Sequence, residues 1–215
     1  MKEYLSFGGG VNSVALYLLL EQKGIDFEAI FANHKTDYPE TYEYINYLRK
    51  RGFKITEIKP NYEGYSSLYE YCKFRKFIPS IYLRWCTYRF KLQPIWKFVT
   101  KPCIMHIGIS ADEKQRCNAT KRKGIKSKWL LVEEGINRRE CIKIIKDSGL
   151  KVPIKSGCWL CPFQGKKQLR ALYHNHPDLF EKIIELEKIR GNKHTLKKLP
   201  IQYYVPYKTP KLKFH

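Results

Sequence analysis

The sequence predicts an α/β fold: a mainly parallel sheet with helices on both faces, followed by a mostly helical part that carries a Cys-x2-Cys loop. Three observations predict it. Short apolar runs alternate with helix-periodic segments through the first half. A glycine loop, Gly8-Gly9-Gly10, joins the first such run to the first helical segment. The alternation fades after about residue 125, where helical patterns and a Cys158-Trp159-Leu160-Cys161 loop take over.

Residues 3–7 read as the first strand and 13–23 as the first helix, with Gly24 as its stop. Residues 27–32 form the second strand. A second helix runs over 39–51, opened by Pro39 and ended by Gly52, and 54–58 form a third strand. Residues 91–99 read as helical, and 103–109 as a buried strand begun after Pro102. Further helices are expected over 137–148, 166–173 and 177–189, with 151–163 a loop. Three units follow: a nucleotide-binding core over 1–125, a helical cysteine-bearing region over 126–190, and a basic, proline-containing tail over 191–215, read as extended.

A chain of 215 residues supports one domain with a sizeable core. No apolar run reaches the roughly 20 residues of a membrane span, and no leader precedes the first strand, so the reading is cytoplasmic. The net charge of +21 points to a polyanionic partner. Residues 66–101 carry eight Lys/Arg and one acid, and 114–128 carry seven Lys/Arg and no acid. The tail 191–215 adds six Lys and no acid. Tyr69, Tyr71, Phe74, Phe77, Tyr82, Trp85, Tyr88, Phe90 and Trp96 interleave with the first cluster, as stacking surfaces for bases would. The plainer alternative is a lysine-rich chain with its charge on solvated faces.

The run Ser6-Phe7-Gly8-Gly9-Gly10-Val11-Asn12-Ser13 carries the main chemical signal. Glycines let the backbone turn several N–H groups into one concavity, and the following helix adds its unpaired N–H groups. Such a cradle suits a nucleotide phosphate. Ser13 stands where it could cap the helix or meet a phosphate. The plainer alternative is a tight turn.

The seven cysteines of this chain argue for metal or redox chemistry over a disulfide frame. Cys158 and Cys161 are spaced to reach one metal or cluster. Cys86 lies among Arg84, Arg89 and Lys91, cations that favour a thiolate. A structural zinc half-site is the alternative, completed by Cys141, His174 or His176. Cys72, Cys103, Cys117 and Cys141 show no spacing signal, and Cys103 reads as a packed thiol.

Five segments agree in order: Ser6–Ser13; Phe31-Ala32-Asn33 with Asp37-Tyr38-Pro39-Glu40-Thr41; Arg84-Trp85-Cys86-Thr87 with Lys91 and Pro94; Gly108-Ile109-Ser110-Ala111-Asp112-Glu113 with Arg116; and Cys158–Pro162. Together, over roughly residues 3–165, they resemble the phosphoadenosine phosphosulfate reductase-like family of PP-loop ATP pyrophosphatases, in the adenine nucleotide α-hydrolase superfamily. The resemblance implies a Rossmann-like PP-loop fold that binds ATP or an adenylyl sulfate. It implies that Ser6, Gly8, Gly9, Gly10, Asn12 and Ser13 hold phosphate, with Mg2+ alongside. Asn33 would hold adenine or ribose, and Arg116 would contact phosphate or sulfate.

The chain departs from that pattern at Gly8, where a serine is usual, and at Asn12, where an aspartate is. Thr87 stands where cluster-bearing reductases have a second cysteine, and Ser110 replaces an arginine. No cysteine follows Cys161 to attack sulfate. Three thiolates, Cys86, Cys158 and Cys161, would hold a [4Fe-4S] cluster with one iron open. The leading expectation is an ATP-dependent adenylating sulfur transferase acting on a nucleic acid, RNA favoured over DNA. Asn12, Arg116 and Cys86 are its catalytic candidates; a sulfur donor or reductant and a homodimer are its expected partners. The alternatives are a reductase or hydrolase of a small sulfonucleotide, and a non-catalytic, zinc-stabilised nucleic-acid-binding protein.

Overall fold

Five strands run parallel in the order β3-β2-β1-β4-β5. The structure is a computed structural model that describes residues 1–82, 84–118, 122–154, 156–189 and 195–205. The elements are β1 (Lys2–Ser6), α1 (Val11–Gln22), β2 (Phe27–Ala32), α2 (Pro39–Lys50), β3 (Ile55–Ile58), α3 (Leu68–Arg75), α4 (Trp85–Thr87), α5 (Gln93–Phe98), β4 (Cys103–Ile107), β5 (Ile125–Lys128), α6 (Leu130–Glu133), α7 (Arg138–Asp147), α8 (Lys166–Asn175) and α9 (Pro177–Ile189). A wide, π-helical turn over Tyr88–Leu92 joins α4 to α5.

Strand periodicity sorts the core. Leu5, Ala29 and Phe31 face α1, α2 and α7, where Leu16, Ile45, Leu48 and Ile145 are buried. Tyr4, Ile30 and Met105 point the other way, against Ile95 of α5 and Val99. Helices therefore cover both faces, as a parallel sheet requires. A third cluster lies outside the sheet. It joins α3, α8 and α9 around Phe90, Trp159, Leu160 and Phe180.

Several sequence expectations are corrected. Helix α1 starts at Val11, two residues earlier than read, because Gly10 takes the extended N-cap position. The sheet has a further strand, β5, and two helices that the sequence reading lacked, α3 and α6. The helix read over 91–99 belongs to a longer helical stretch that begins at Trp85. The expected strand over 103–109 ends at Ile107. The tail is not extended over its described part. Residues 201–204 form a 3-10 turn, with Leu196 and Ile201 fully buried. Buried Glu187 of α9 anchors it, accepting from the Leu196 N–H at 2.8 Å and the Ile201 N–H at 2.9 Å. Pro206 and Pro210 lie outside the described residues.

The order 3-2-1-4-5 puts a topological switch point between β1 and β4. Their following loops part there and open a crevice at the carboxyl ends of the strands. One glycine makes this possible. A Cβ on Gly108, just past β4, would stand 3.0 Å from the Ser13 backbone N and 3.1 Å from the Asn12 backbone C. Gly8, on the opposite side, has no atom within 4 Å of such a Cβ. We expect Gly108→Ala to destabilise the fold by about 1–3 kcal/mol in urea titration, since backbone cannot yield as a side chain can. Gly8→Ala is expected to stay within about 0.5 kcal/mol of the parent protein.

Candidate functional site

The crevice is a cleft of about 650 Å³, within the range of small-molecule sites. Its walls come from Ser6 and the Gly8–Ser13 loop, from Ile107–Ile109 and the turn Asp112–Arg116, and from Arg138 and Ser156. The start of α1 opens into it, with first-turn N–H groups that lack a carbonyl one turn back. Ser13 shapes the loop. Its hydroxyl accepts from the Gly10 N–H at 3.1 Å and the Gly8 N–H at 3.4 Å, and donates to the Gly10 carbonyl at 2.9 Å. Gly9 turns through the left-handed region at φ +67°, and a Cβ there would press on Thr41 and Ile45.

Asn12 is the polar hub of the cleft. Its amide donates to Ser110 Oγ at 3.1 Å and to Glu113 Oε2 at 3.2 Å, and its carbonyl accepts from Arg138 Nη1 at 3.3 Å. An aspartate here could not donate to Glu113 and would repel it. The amide therefore suits an acidic neighbour, which gives the departure at this position a physical reason. Hydrogen bonds from the Ser110 hydroxyl, then from backbone N–H groups that include Arg138's, hold Asp112 below the usual carboxylate range.

Arg138 was not picked out by the sequence, because it sits in a charge-rich helix with no motif around it. The N-cap Asn137, which accepts from the Arg139 and Glu140 N–H groups, fixes the start of α7 against the Asp112 turn. Arg116 lines the cleft but pairs with Glu113 and is largely exposed. Asn33 is elsewhere: its amide donates to Glu57 at 2.8 Å and its carbonyl accepts from the Lys35 N–H at 3.0 Å, and it is not among the residues lining the cleft.

The cysteine loop lies against the same loop of glycines. A Cβ on Gly10 would collide with Ser156 Oγ, two residues before Cys158. Backbone bonds fix this loop to the start of α2: the Tyr38 N–H donates to the Gly157 carbonyl and the Trp159 N–H to the Thr36 carbonyl, each at 2.9 Å. Cys158 Sγ donates to Thr36 Oγ1 at 3.3 Å. Beside it lies a buried polar group: His34 bonds Thr36 at 2.6 Å and faces Asp37 at 3.3 Å, while Lys91 approaches Asp37 at 3.5 Å.

Cys161 comes within electrostatic reach of both Cys86 and Cys158, and Cys86 and Cys158 pack on one apolar cluster. Burial first, then neighbouring thiols or Asp37, pushes the Cys86 and Cys158 thiols up. Fully buried Cys72 interacts with both, a neighbour that spacing did not signal. Neutral, soft thiols of this kind fit a thiophilic centre whose positive charge would draw off their protons. Among the described residues no three His, Cys, Asp or Glu side chains gather as they would on one metal ion. Cys103 and Cys141 are packed core thiols, and His176 pairs with Glu40 at 2.7 Å.

Most of the aromatics interleaved with basic residues turn out to be packing. Tyr71 and Phe90 are buried, and Trp85 and Phe77 stack on each other, leaving Phe74, Tyr82 and Tyr88 exposed. Among the described residues no helix is long and apolar enough to cross a membrane.

Burial, reinforced by Lys91, lowers the His34 pKa to about 4 from 6.5, against the pull of Asp37. The unfolded chain then takes the proton first, so the stability owed to neutral His34 is present above pH 6.5 and lost as the pH falls toward 4. Urea titrations should show a loss of up to about 3 kcal/mol across that window, and His34→Gln should flatten it.

No family model matches the chain. It is 24% identical over 216 residues to an uncharacterized protein of Methanocaldococcus jannaschii; the match covers 89% of this chain and 42% of that protein, so the chain spans about two fifths of its relative's length. Among solved structures it resembles the phosphoadenylyl-sulfate reductase of Candida auris, a phosphate complex, with a TM-score of 0.56 and 15% identity over 74% of this chain and 82% of that one. A predicted subunit of tRNA methyltransferase from Methanocaldococcus jannaschii aligns with a TM-score of 0.38 and 14% identity over 70% of this chain and 91% of that one. The chain has the α/β, Rossmann-like fold of phosphoadenylyl-sulfate reductase, which is the fold that its motifs imply.

Proposed function

We propose that the protein is an ATP-dependent adenylating enzyme that transfers sulfur to a nucleic acid, RNA before DNA. The observation that carries this reading is the contact of two loops: the glycine loop at the start of α1 lies against Ser156, two residues from the first cysteine of the Cys-x2-Cys loop. Anion chemistry and thiol chemistry then share one mouth.

ATP would lie in the cleft, its phosphates on the first-turn N–H groups of α1 and facing Arg138. The first-turn dipole and the guanidinium favour the charge that develops on departing pyrophosphate. A nucleic-acid oxygen attacks the α-phosphorus, the α–β bridging bond breaks, and pyrophosphate leaves. Sulfur then replaces the adenylated oxygen, which departs with AMP. Cys86, Cys158 and Cys161 would hold a [4Fe-4S] cluster, whose chemistry when bound is to supply sulfide to the activated position. The reductase of matching fold was solved with phosphate, which accords with an anion site here. The net charge of +21 supports a polyanionic substrate.

Two experiments test the reading. After anaerobic reconstitution, iron and sulfide should match one cluster per chain, and Cys158→Ser should lose it; zinc in place of iron would contradict the reading. With ATP, RNA should stimulate release of pyrophosphate and AMP, whereas turnover of an adenylyl sulfate without RNA would favour the sulfonucleotide alternative. Calorimetry with inorganic pyrophosphate separates the arginines. Arg138→Ala should weaken binding about 10-fold or more. Arg116→Ala, already engaged by Glu113, should cost less than about 3-fold.

A further inference from the structure

Phe163 is 50% exposed, yet the chain around it is unusually well fixed. Gln164, buried beside it, donates through Nε2 to the Trp159 carbonyl at 2.6 Å and the Cys161 carbonyl at 3.2 Å, and its own Oε1 accepts from the Tyr38 hydroxyl. Lys197 donates to the carbonyls of Pro162 and Gln164, the residues on either side of Phe163, each at 2.7 Å. An apolar ring held out by a bonded loop is a presented ring.

The Arg84 guanidinium lies 4.8 Å from the centre of that ring. The pair links the two cysteine-bearing segments, since Phe163 follows Cys161 by two residues and Arg84 precedes Cys86 by two. The sequence on either side of Phe163 carries one sign of charge. Residues 151–177 contain five Lys/Arg and no Asp or Glu, and Lys166 and Lys167 are exposed just beyond Phe163. A flat π surface with a guanidinium, followed along the chain by two exposed lysines, matches a base and its phosphate. It offers little to a paired base, whose faces are already stacked.

We propose that Phe163 and Arg84 form a ledge on which an unpaired base stacks at the mouth of the cysteine site. The inference rests on the nucleic-acid reading above and narrows it: the substrate presents a base out of the stack, from a single strand or a loop. The paired duplex, bound through its phosphates alone, does not engage the ledge. Neither side chain does chemistry; both position the base.

The test is fluorescence anisotropy on the full chain, with a mixed-sequence RNA strand, the same strand annealed to its complement, and the DNA strand of that sequence. The parent protein should bind the single strands more tightly than the duplex. Phe163→Ala should weaken both single strands by a similar factor, roughly 5- to 150-fold, with duplex binding unchanged. Phe163→Trp should restore most of the affinity. The salt slope should be unaltered by Phe163→Ala but reduced by about one by Arg84→Ala. Circular dichroism confirms the fold of each variant. Equal affinity for strand and duplex, or a Phe163→Ala variant that binds single strands as the parent does, overturns the ledge while leaving nucleic-acid binding in place. A parent protein that binds none of the three probes overturns the nucleic-acid reading itself.

Discussion

The backbone contact between Gly108 and the first turn of α1 is the constraint on which the rest of the molecule depends. It lets the end of β4 and the start of α1 form one continuous wall at the switch point, with no side chain between them. Asn12 then reaches Ser110 and Glu113 across the wall, and Arg138 reaches Asn12 from α7. If the contact widened, the amide would lose its partners, the Asp112–Arg116 turn would come away from the loop, and the cleft would lose its floor.

The electrostatics of the cleft run against the charge of the whole chain. A protein of net charge +21 places Asp112 and Glu113 at the edge of its anion cradle. Each acid is used. Asp112 accepts from the Arg138 N–H at the start of α7, and Glu113 holds Asn12 and Arg116. The amide at position 12 follows from this. It reconciles an acid on one side with a guanidinium on the other, where a carboxylate would satisfy only the guanidinium. The thiol side shows the same economy. Asp37 balances Lys91 and faces neutral His34, so the ground beside Cys158 is polar and paired.

Much of this was legible in the residues. The alternation of apolar runs gave β1 to β4 and α1 and α2, because a parallel sheet buries both faces of its strands and must return through helices. Gly24, Gly52 and Gly149 marked helix ends and adopt the left-handed conformation that glycine favours there. The glycine loop and Cys158–Cys161 were found by spacing alone. What escaped has physical reasons. Strand β5 reads Ile-Lys-Ser-Lys, an edge strand with only Ile125 buried, so it lacks an apolar signature. Helix α3 did carry a signal, Ser67 followed by Glu70, and Ser67 Oγ accepts the Glu70 N–H. The tail was judged by its prolines, whereas its order comes from Glu187, a tertiary contact that local pattern does not contain. Arg116 and Asn33 were placed by motif, but Glu113 and Glu57 engage them. Arg138 earned no notice because only the packing of α7 brings it to Asn12.

The central claim is that a nucleotide's phosphates lie on the first turn of α1, beside the cysteine loop. A crystal structure of the protein with α,β-methylene ATP tests it most directly. The account predicts phosphate oxygens within hydrogen-bond reach of the Gly8–Ser13 N–H groups and of Arg138, with the α-phosphorus toward Ser156. A nucleotide bound elsewhere, or a cleft left empty with Ser13 Oγ still holding the Gly8 and Gly10 N–H groups, would contradict it.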